Sequence, residues 1–126
     1  MIPYGQRTDS ASAIRLAKEA LEAHSRFWLG NDKIEEELFN LNLLAPEERY
    51  MGVDIALNEI APCWRLGPQP PNDVSRAGDP LYAFYWASAE FKKCMYLKFA
   101  LSFDAGRVHL VLHSFHESTD KDLEER

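Results

Sequence analysis

Apolar residues recur at helical spacing along the first half of the chain, and this pattern predicts three consecutive helices. Asp9 or Ser10 can cap the first helix, which is expected to run to about Trp28 and to end at Gly30. The inward-facing stripes of the three helices are predicted to be Ile14, Ala17, Leu21 and Trp28, then Ile34, Leu38 and Leu41, then Tyr50, Val53, Leu57 and Ile60.

The second and third helices also carry recognisable start signals. Asn31 or Asp32 opens the second helix, and Asp32 and Glu35 have the spacing of a capping box. Pro46 suits the first turn of the third helix, where its missing N–H leaves no hydrogen bond unmade. After this helix the pattern breaks, and the prolines and glycines between residues 62 and 80 predict a long loop.

The second half of the chain changes to alternating apolar and polar residues, which is the pattern of β-strands. A short aromatic strand is predicted from Leu81 to Trp86, followed by two long runs that form a hairpin around the turn Asp104-Ala105-Gly106-Arg107. In the first run the predicted core side chains are Met95, Leu97, Phe99, Leu101 and Phe103, and the opposite face carries Tyr96, Lys98, Ala100 and Ser102.

Helices followed by strands predict an α+β fold, in which N-terminal helices pack on a C-terminal antiparallel sheet. The length of 126 residues suits a single domain, residues 1–126. Within it, residues 1–60 form a helical half, residues 61–116 a loop and sheet half, and residues 117–126 a polar tail.

Charge is divided unevenly among these three parts, and the net charge of −6 argues against a generic nucleic-acid binder. Residues 1–60 hold six Lys and Arg against eleven Asp and Glu. Residues 61–116 hold six against four and three of the four histidines, and residues 117–126 hold two against five. The mildly basic sheet half is compatible with a short polyanion, not with a large phosphate-tracking surface.

Composition also bears on the compartment. No apolar run approaches the ~20 residues that a membrane helix needs, so no membrane partner is expected. The first seven residues lack the apolar core of a signal peptide. Cys63 and Cys94 show no metal-type spacing, and we expect them to be buried thiols of a cytoplasmic protein.

The register of the hairpin decides which polar side chains meet on its open face. If Ala105 and Gly106 form a two-residue loop, Asp104 faces Arg107. The same register would pair Ser102 with His109, Lys98 with His113 and Tyr96 with Phe115.

The polar residues of the second half are of the types that metal-free RNA cleavage needs. A base must take the 2′-hydroxyl proton, cations must stabilise the pentavalent phosphate, and an acid must protonate the leaving 5′ oxygen. Histidine can act as acid or base near neutral pH, and an aromatic ring can stack a nucleobase. The candidates near the sheet face are Arg65, Arg76, Tyr82, Lys92, Lys93, Tyr96, Lys98, His113 and His116.

A zinc site built from His109, His113 and His116 is disfavoured by strand geometry. His109 and His113 lie four residues apart on one strand, about 13 Å, which is too far to share one ion. His116 falls on the opposite side of the strand unless a bulge intervenes. We therefore expect neither a metal nor another cofactor.

Two segments resemble a known family. YLKFALSFDAGRVHLVLHSFHES, Tyr96 to Ser118, is similar to the final hairpin of the motility quorum-sensing regulator toxins, and LNLLAPEERYMGVDIALNEI is similar to the helix before their loop. These toxins are mRNA interferases of bacterial toxin–antitoxin pairs with a RelE-type fold. The resemblance implies metal-independent endonucleolytic cleavage of single-stranded mRNA, with or without the ribosome, and neutralisation by a cognate antitoxin protein.

The resemblance also implies site residues. Tyr96 falls on the family's hairpin tyrosine, His116 falls where the family carries a catalytic lysine, and Arg65 lies within one residue of another functional lysine. The family's glutamine between these elements has no counterpart. The catalytic set is then His116, Tyr96, Arg65 and Lys98, with RNA contacts from Arg76, Tyr82, Lys92, Lys93 and His113.

The resemblance conflicts with the simple hairpin register. It needs His116 across from Tyr96, and this requires one extra residue as a bulge near the turn, where Gly106 is a natural position. Without such a bulge, His113 is the candidate histidine.

A second hypothesis from the sequence is a non-enzymatic interaction protein of immunity or antitoxin type. The acidic helical half and the acidic tail would suit a basic partner protein and would speed its association.

Overall fold

Three helices and a four-stranded sheet make up the part of the chain that the computed structural model describes, which is residues 10–22, 27–60, 79–104 and 106–118. The strand order is β1-β4-β3-β2, with β1 parallel to β4 and the other two pairs antiparallel. The predicted α+β fold is confirmed. The elements are α1 (Ser10–Glu22), β1 (Phe27–Leu29), α2 (Lys33–Asn40), α3 (Pro46–Ile60), β2 (Leu81–Ser88), β3 (Lys93–Asp104) and β4 (Arg107–Glu117).

The first helix is shorter than its periodicity predicts, because the chain switches to a strand before Gly30. α1 ends at Glu22, and Phe27–Leu29 pairs in parallel with β4, so the prediction of helix up to Trp28 is wrong. Aromatic and bulky residues favour this extended conformation. The N–H of Gly30 continues the ladder by donating to the Leu112 carbonyl at 2.7 Å. The sheet is therefore mixed, with a parallel edge strand drawn from the helical half.

The start of α2 is capped by Asn31. Its Oδ1 accepts a hydrogen bond from the N–H of Ile34 at 3.1 Å. Asp32 is already in helical conformation and makes no side-chain cap, so the predicted capping box with Glu35 is wrong. Just before α3, the backbone N–H groups of Leu44 and Ala45 donate hydrogen bonds to the Glu48 carboxylate.

The core lies between the helices and one face of the sheet. The predicted helical stripes are buried there, except that Tyr50 and Leu41 are only partly covered and Trp28 belongs to β1. In β3 the predicted core face is confirmed, with Phe103 partly buried at its end. The largest fully buried side chains include Trp86, Tyr82, Phe84, Phe99, Phe115, Ile34, Leu38 and Leu57.

Glu59 at the end of α3 fixes the turn between β2 and β3. Its carboxylate accepts hydrogen bonds from Trp86 Nε1 and Ser88 Oγ and from the backbone N–H groups of Ala89 and Glu90, at 2.6 to 3.0 Å. Burial alone would raise the pKa of Glu59, but these four donors outweigh it and hold the pKa below its usual value.

The hairpin contains a β-bulge at His113. From the turn to Phe99 the simple register holds, with Asp104 opposite Arg107 and Ser102 opposite His109, as predicted. Phe99 still faces Leu112, but the next residue of β3, Lys98, faces Ser114, so His113 is the additional residue.

Beyond the bulge Tyr96 faces His116, so the pairing that the resemblance requires is confirmed. The simple pairings of Lys98 with His113 and of Tyr96 with Phe115 are wrong. The bulge itself lies far from Gly106, where we expected it. Gly106 instead takes φ +76° in the turn.

The bulge has a packing cause. Leu112 and Phe115 are both fully buried, although they lie three positions apart and strict alternation would send one of them to solvent. One extra residue lets both side chains reach the core. Helix α2 covers the disrupted ladder, because Asn31 Nδ2 donates to the His113 carbonyl at 3.2 Å and the Glu37 carboxylate accepts from the Phe115 N–H at 2.8 Å.

Candidate functional site

A cavity of about 620 Å³ lies on the face of the sheet that the helices leave open. One cross-strand row crosses its floor: Trp28 beside Val111, Val111 beside Ala100, and Ala100 beside Leu81. The small side chain in the middle of this row and the large ones at its ends make the surface concave. The volume is in the range of small-molecule sites, ~300–1,000 Å³.

Five polar side chains line this cavity: Asn31, Asp79, Lys98, Ser102 and His113. Asp79 is only 6% exposed, and its carboxylate accepts a hydrogen bond from the side chain of Ser102. Burial raises the pKa of Asp79, and the hydrogen bond and the nearby His113 offset only part of that rise.

His113 sits at the bulge with its imidazole against Gly30. A Cβ added to Gly30 would lie 3.0 Å from the His113 ring, so glycine is what lets the imidazole approach this closely. Burial lowers the pKa of His113, the positive charge of Lys98 lowers it further, and Asp79 opposes both. The lowered pKa favours the neutral ring, in which one nitrogen can accept a proton.

A second cluster follows directly along the same face. The Tyr96 ring lies between Tyr85 and His116, with ring centroids 4.7 Å and 5.2 Å away. His116 Nδ1 lies 2.8 Å from the Glu117 carbonyl oxygen, which can only accept, so Nδ1 carries a proton. In a neutral ring the lone pair then lies on the other nitrogen, Nε2.

The bulge brings these two histidines to the same face. Residues three apart on a regular strand point to opposite sides, but the extra residue turns both His113 and His116 outward. Lys98 pairs with Ser114, which lies between them in β4. The result is an ordered set of imidazole, ammonium and imidazole along one surface.

The other predicted site residues divide into three groups. Arg65 and Arg76 lie outside the described residues. Tyr82 is 1% exposed and stacks on Phe99 in the core, so its ring is not available to RNA on the open face. Lys92 and Lys93 are exposed at the end of the sheet away from the cavity, and Lys93 lies 3.9 Å from the Glu117 carboxylate.

Asp79, Ser102 and Trp28 line the cavity but were not among the predicted site residues. Ser102 and Lys98 share the polar face of β3, so alternation could have identified Ser102. Asp79 stands just before Pro80 and a strand, a position that carries no chemical signal in the sequence. The sequence pattern predicts Trp28 on a helix, so it does not indicate that the residue lies on the sheet.

The expectation of buried thiols can be checked for one of the two cysteines. Cys94 is exposed and reduced, so the prediction of a buried thiol is wrong for this residue, and Cys63 lies outside them. Within residues 10–22, 27–60, 79–104 and 106–118, no three His, Cys, Asp or Glu side chains are grouped to hold a metal ion. None of the helices in these ranges is long and apolar enough to cross a membrane.

The chain matches no protein-family model, no curated protein and no solved structure. The site must therefore be interpreted from its own geometry.

Proposed function

We propose that the protein is a metal-independent endoribonuclease that cleaves single-stranded mRNA on the open face of the sheet, as a toxin of a bacterial toxin–antitoxin pair acting in the cytoplasm. The observation that carries this proposal is the bulge, which turns His113 and His116 to one side with Lys98 beside them. Two imidazoles and a cation are the groups that acid–base cleavage of a phosphodiester requires.

In the proposed reaction the neutral His113 takes the proton of a ribose 2′-hydroxyl. The 2′ oxygen attacks the adjacent phosphorus, and the bond from phosphorus to the 5′ oxygen breaks. Protonated His116 gives its Nε2 proton to that leaving oxygen. The products are a 2′,3′-cyclic phosphate and a 5′-hydroxyl, and exchange of protons with water restores both imidazoles.

The surrounding residues support these roles. The charge of Lys98 favours neutral His113, as a base requires, and can also stabilise the extra negative charge on the pentavalent phosphorus. Tyr96 packs against the His116 ring and so orients it. Tyr96 and Lys98 stand two residues apart on one face, ~6.5–7 Å, a spacing over which one nucleotide can contact both.

Incubation of the purified protein with single-stranded RNA in EDTA tests the proposal, with and without ribosomes. We expect fragments that end in 2′,3′-cyclic phosphate. His113→Gln and His116→Gln should each slow cleavage about 10²- to 10⁴-fold, because each removes one proton transfer. Lys98→Gln should also slow it, while Lys33→Gln, which removes a lysine from the helical side, should leave the rate unchanged.

Two results would overturn this function. One is the absence of cleavage under both conditions. The other is cleavage that persists unchanged in both histidine variants, because the activity would then belong to a contaminant or to another site. In cells, growth arrest that disappears with His116→Ala supports the toxin.

A second candidate function is that of an acidic interaction protein that binds a basic partner. Its supporting observation is on the helical side, where Phe39, Leu44 and Met51 are 64%, 53% and 65% exposed. Acidic residues in the first turns of α2 and α3 accompany them. Exposed apolar side chains with acidic neighbours favour a basic, amphipathic partner. Harmless overexpression together with no RNA cleavage would favour this alternative.

A further inference from the structure

Trp28 is the largest exposed side chain on the wall of the cavity. It belongs to β1, where its neighbours Phe27 and Leu29 pack against the core and it alone points to the open face. It remains 47% exposed. A tryptophan left this open on a three-residue edge strand contributes little to the core, so its conformation needs another explanation.

The indole is held rigid by a second ring. Trp28 and His109 stack almost in parallel, with ring centroids 4.3 Å apart and an angle of 18° between the planes. Nδ1 of His109 is buried and has no hydrogen-bond partner among the described residues, so face-to-face packing is what holds this imidazole under the indole. One face of Trp28 is thus occupied, and the ring borders the cavity.

Polar groups are distributed around the cavity in a way that suits a nucleotide. At the level of Trp28 the floor is apolar and shallow, because it is made of Val111 and Ala100. At the next level along the sheet stand Lys98 and His113. If an aromatic ring of a ligand stacked on Trp28, a negatively charged group attached to that ring would therefore lie within reach of Lys98.

We propose that Trp28, supported by His109, forms a nucleobase-binding subsite that stacks one base of a single-stranded nucleic acid and directs the attached phosphate to Lys98. Stacking suits any base, because every base has a π face, so this subsite would fix the position of the strand without reading its sequence. The inference rests on the proposed function for the identity of the ligand as RNA. Its stacking ring, Trp28, takes no part in the proposed proton transfers.

The test uses a probe that cannot be cleaved. A deoxyadenosine trinucleotide lacks the 2′-hydroxyl, and a trinucleotide of the same length with abasic sugars carries the same phosphates without bases. Binding of each to the full chain is measured by isothermal titration calorimetry. We expect the deoxyadenosine trinucleotide to bind, and the abasic one to bind at least tenfold more weakly.

Variants then test whether the base stacks on Trp28. Trp28→Ala should weaken binding of the deoxyadenosine trinucleotide about 5- to 150-fold, in line with the known effect of removing a stacking ring. Trp28→Phe keeps an aromatic ring in the strand and should give an intermediate loss, so that simple misfolding is distinguished from a lost contact. Lys33→Gln, which removes an exposed lysine from the helical side, should leave the binding unchanged.

The failures of the two proposals can be told apart. Equal binding of the two trinucleotides, no binding of either, or unchanged binding by Trp28→Ala would each overturn the base subsite, and RNA cleavage could still stand. Base-dependent binding that requires Trp28, together with no cleavage of RNA, would retain the subsite and overturn the nuclease.

Discussion

The two faces of the sheet differ in the side chains that they carry and in how far packing explains them. On the face covered by helices, large apolar side chains such as Phe84, Phe99 and Phe115 are at most 1% exposed, and Phe84 stacks on Phe99. On the open face, small residues such as Ala100 lie beside a buried carboxylate, an ammonium and imidazoles. Packing accounts for the composition of the first face. It does not account for the second, and this is why we place the function there.

The largest effect should come from the closed face. Phe115→Ala removes a fully buried ring that packs edge-on against Phe91, with centroids 5.5 Å apart. We expect a loss of ~3–5 kcal/mol in the free energy of unfolding. Val111→Ala, on the floor of the open cavity, should cost less than about 1.5 kcal/mol. Urea denaturation measures both, and equal losses would contradict the distinction between the faces.

An intermediate effect is expected where the two faces are linked. Asn31 both caps α2 and holds the carbonyl of the bulge residue His113. Asn31→Ala should therefore lower stability by about 1–2 kcal/mol and should also slow RNA cleavage. Its matched control is Asp32→Ala, because the neighbouring Asp32 makes no side-chain cap. If both variants behaved alike, the coupling of helix start and bulge would be wrong.

The smallest effect on stability should come from Gly30, on the open face. In Gly30→Ala the new Cβ would press on the His113 ring and push it towards solvent, where burial lowers its pKa less. We expect the pKa of His113 to rise towards its ordinary value, with less than about 1 kcal/mol lost in stability. NMR titration of the His113 imidazole measures the shift.

Gly106→Ala is the control for this titration. It strains a turn glycine at φ +76° but meets no atom within 4 Å, so it should leave the pKa of His113 unchanged.

The depressed pKa of His113 also determines how the stability of the protein depends on pH. Because the unfolded chain protonates His113 more readily, its contribution to stability is full above its ordinary pKa of 6.5 and is lost as pH falls below that value. His113→Gln should flatten this part of the stability curve.

Much of the closed face could be predicted from the sequence, and the open face only in part. The periodicity of α3 and the alternation of β3 are strong because nearly every inward position is apolar. The bulge was also visible as a change of phase: apolar residues at 108, 110 and 112 are followed by the next at 115. We expected the extra residue at the turn because glycine tolerates bulges, but packing of Phe115 decided its position.

The remaining errors come from long-range pairing. Trp28 fits a helical stripe locally, and only the free edge of β4, more than 80 residues later, makes an extended strand preferable. Asp79 gains its raised pKa from burial beside Ser102 and His113, residues distant in the sequence. Local patterns do not contain such information, because it arises only when segments distant in the sequence pack together.

The parallel pairing of β1 with β4 has a consequence for how the molecule is made. Phe27 cannot pair with Leu110 until the β3–β4 hairpin has left the ribosome. Closing so long a loop is slower than forming a local turn. The wall that carries Trp28 is therefore among the last parts to assemble. A nascent chain would therefore lack this wall of the cavity until β4 has emerged and can pair with β1.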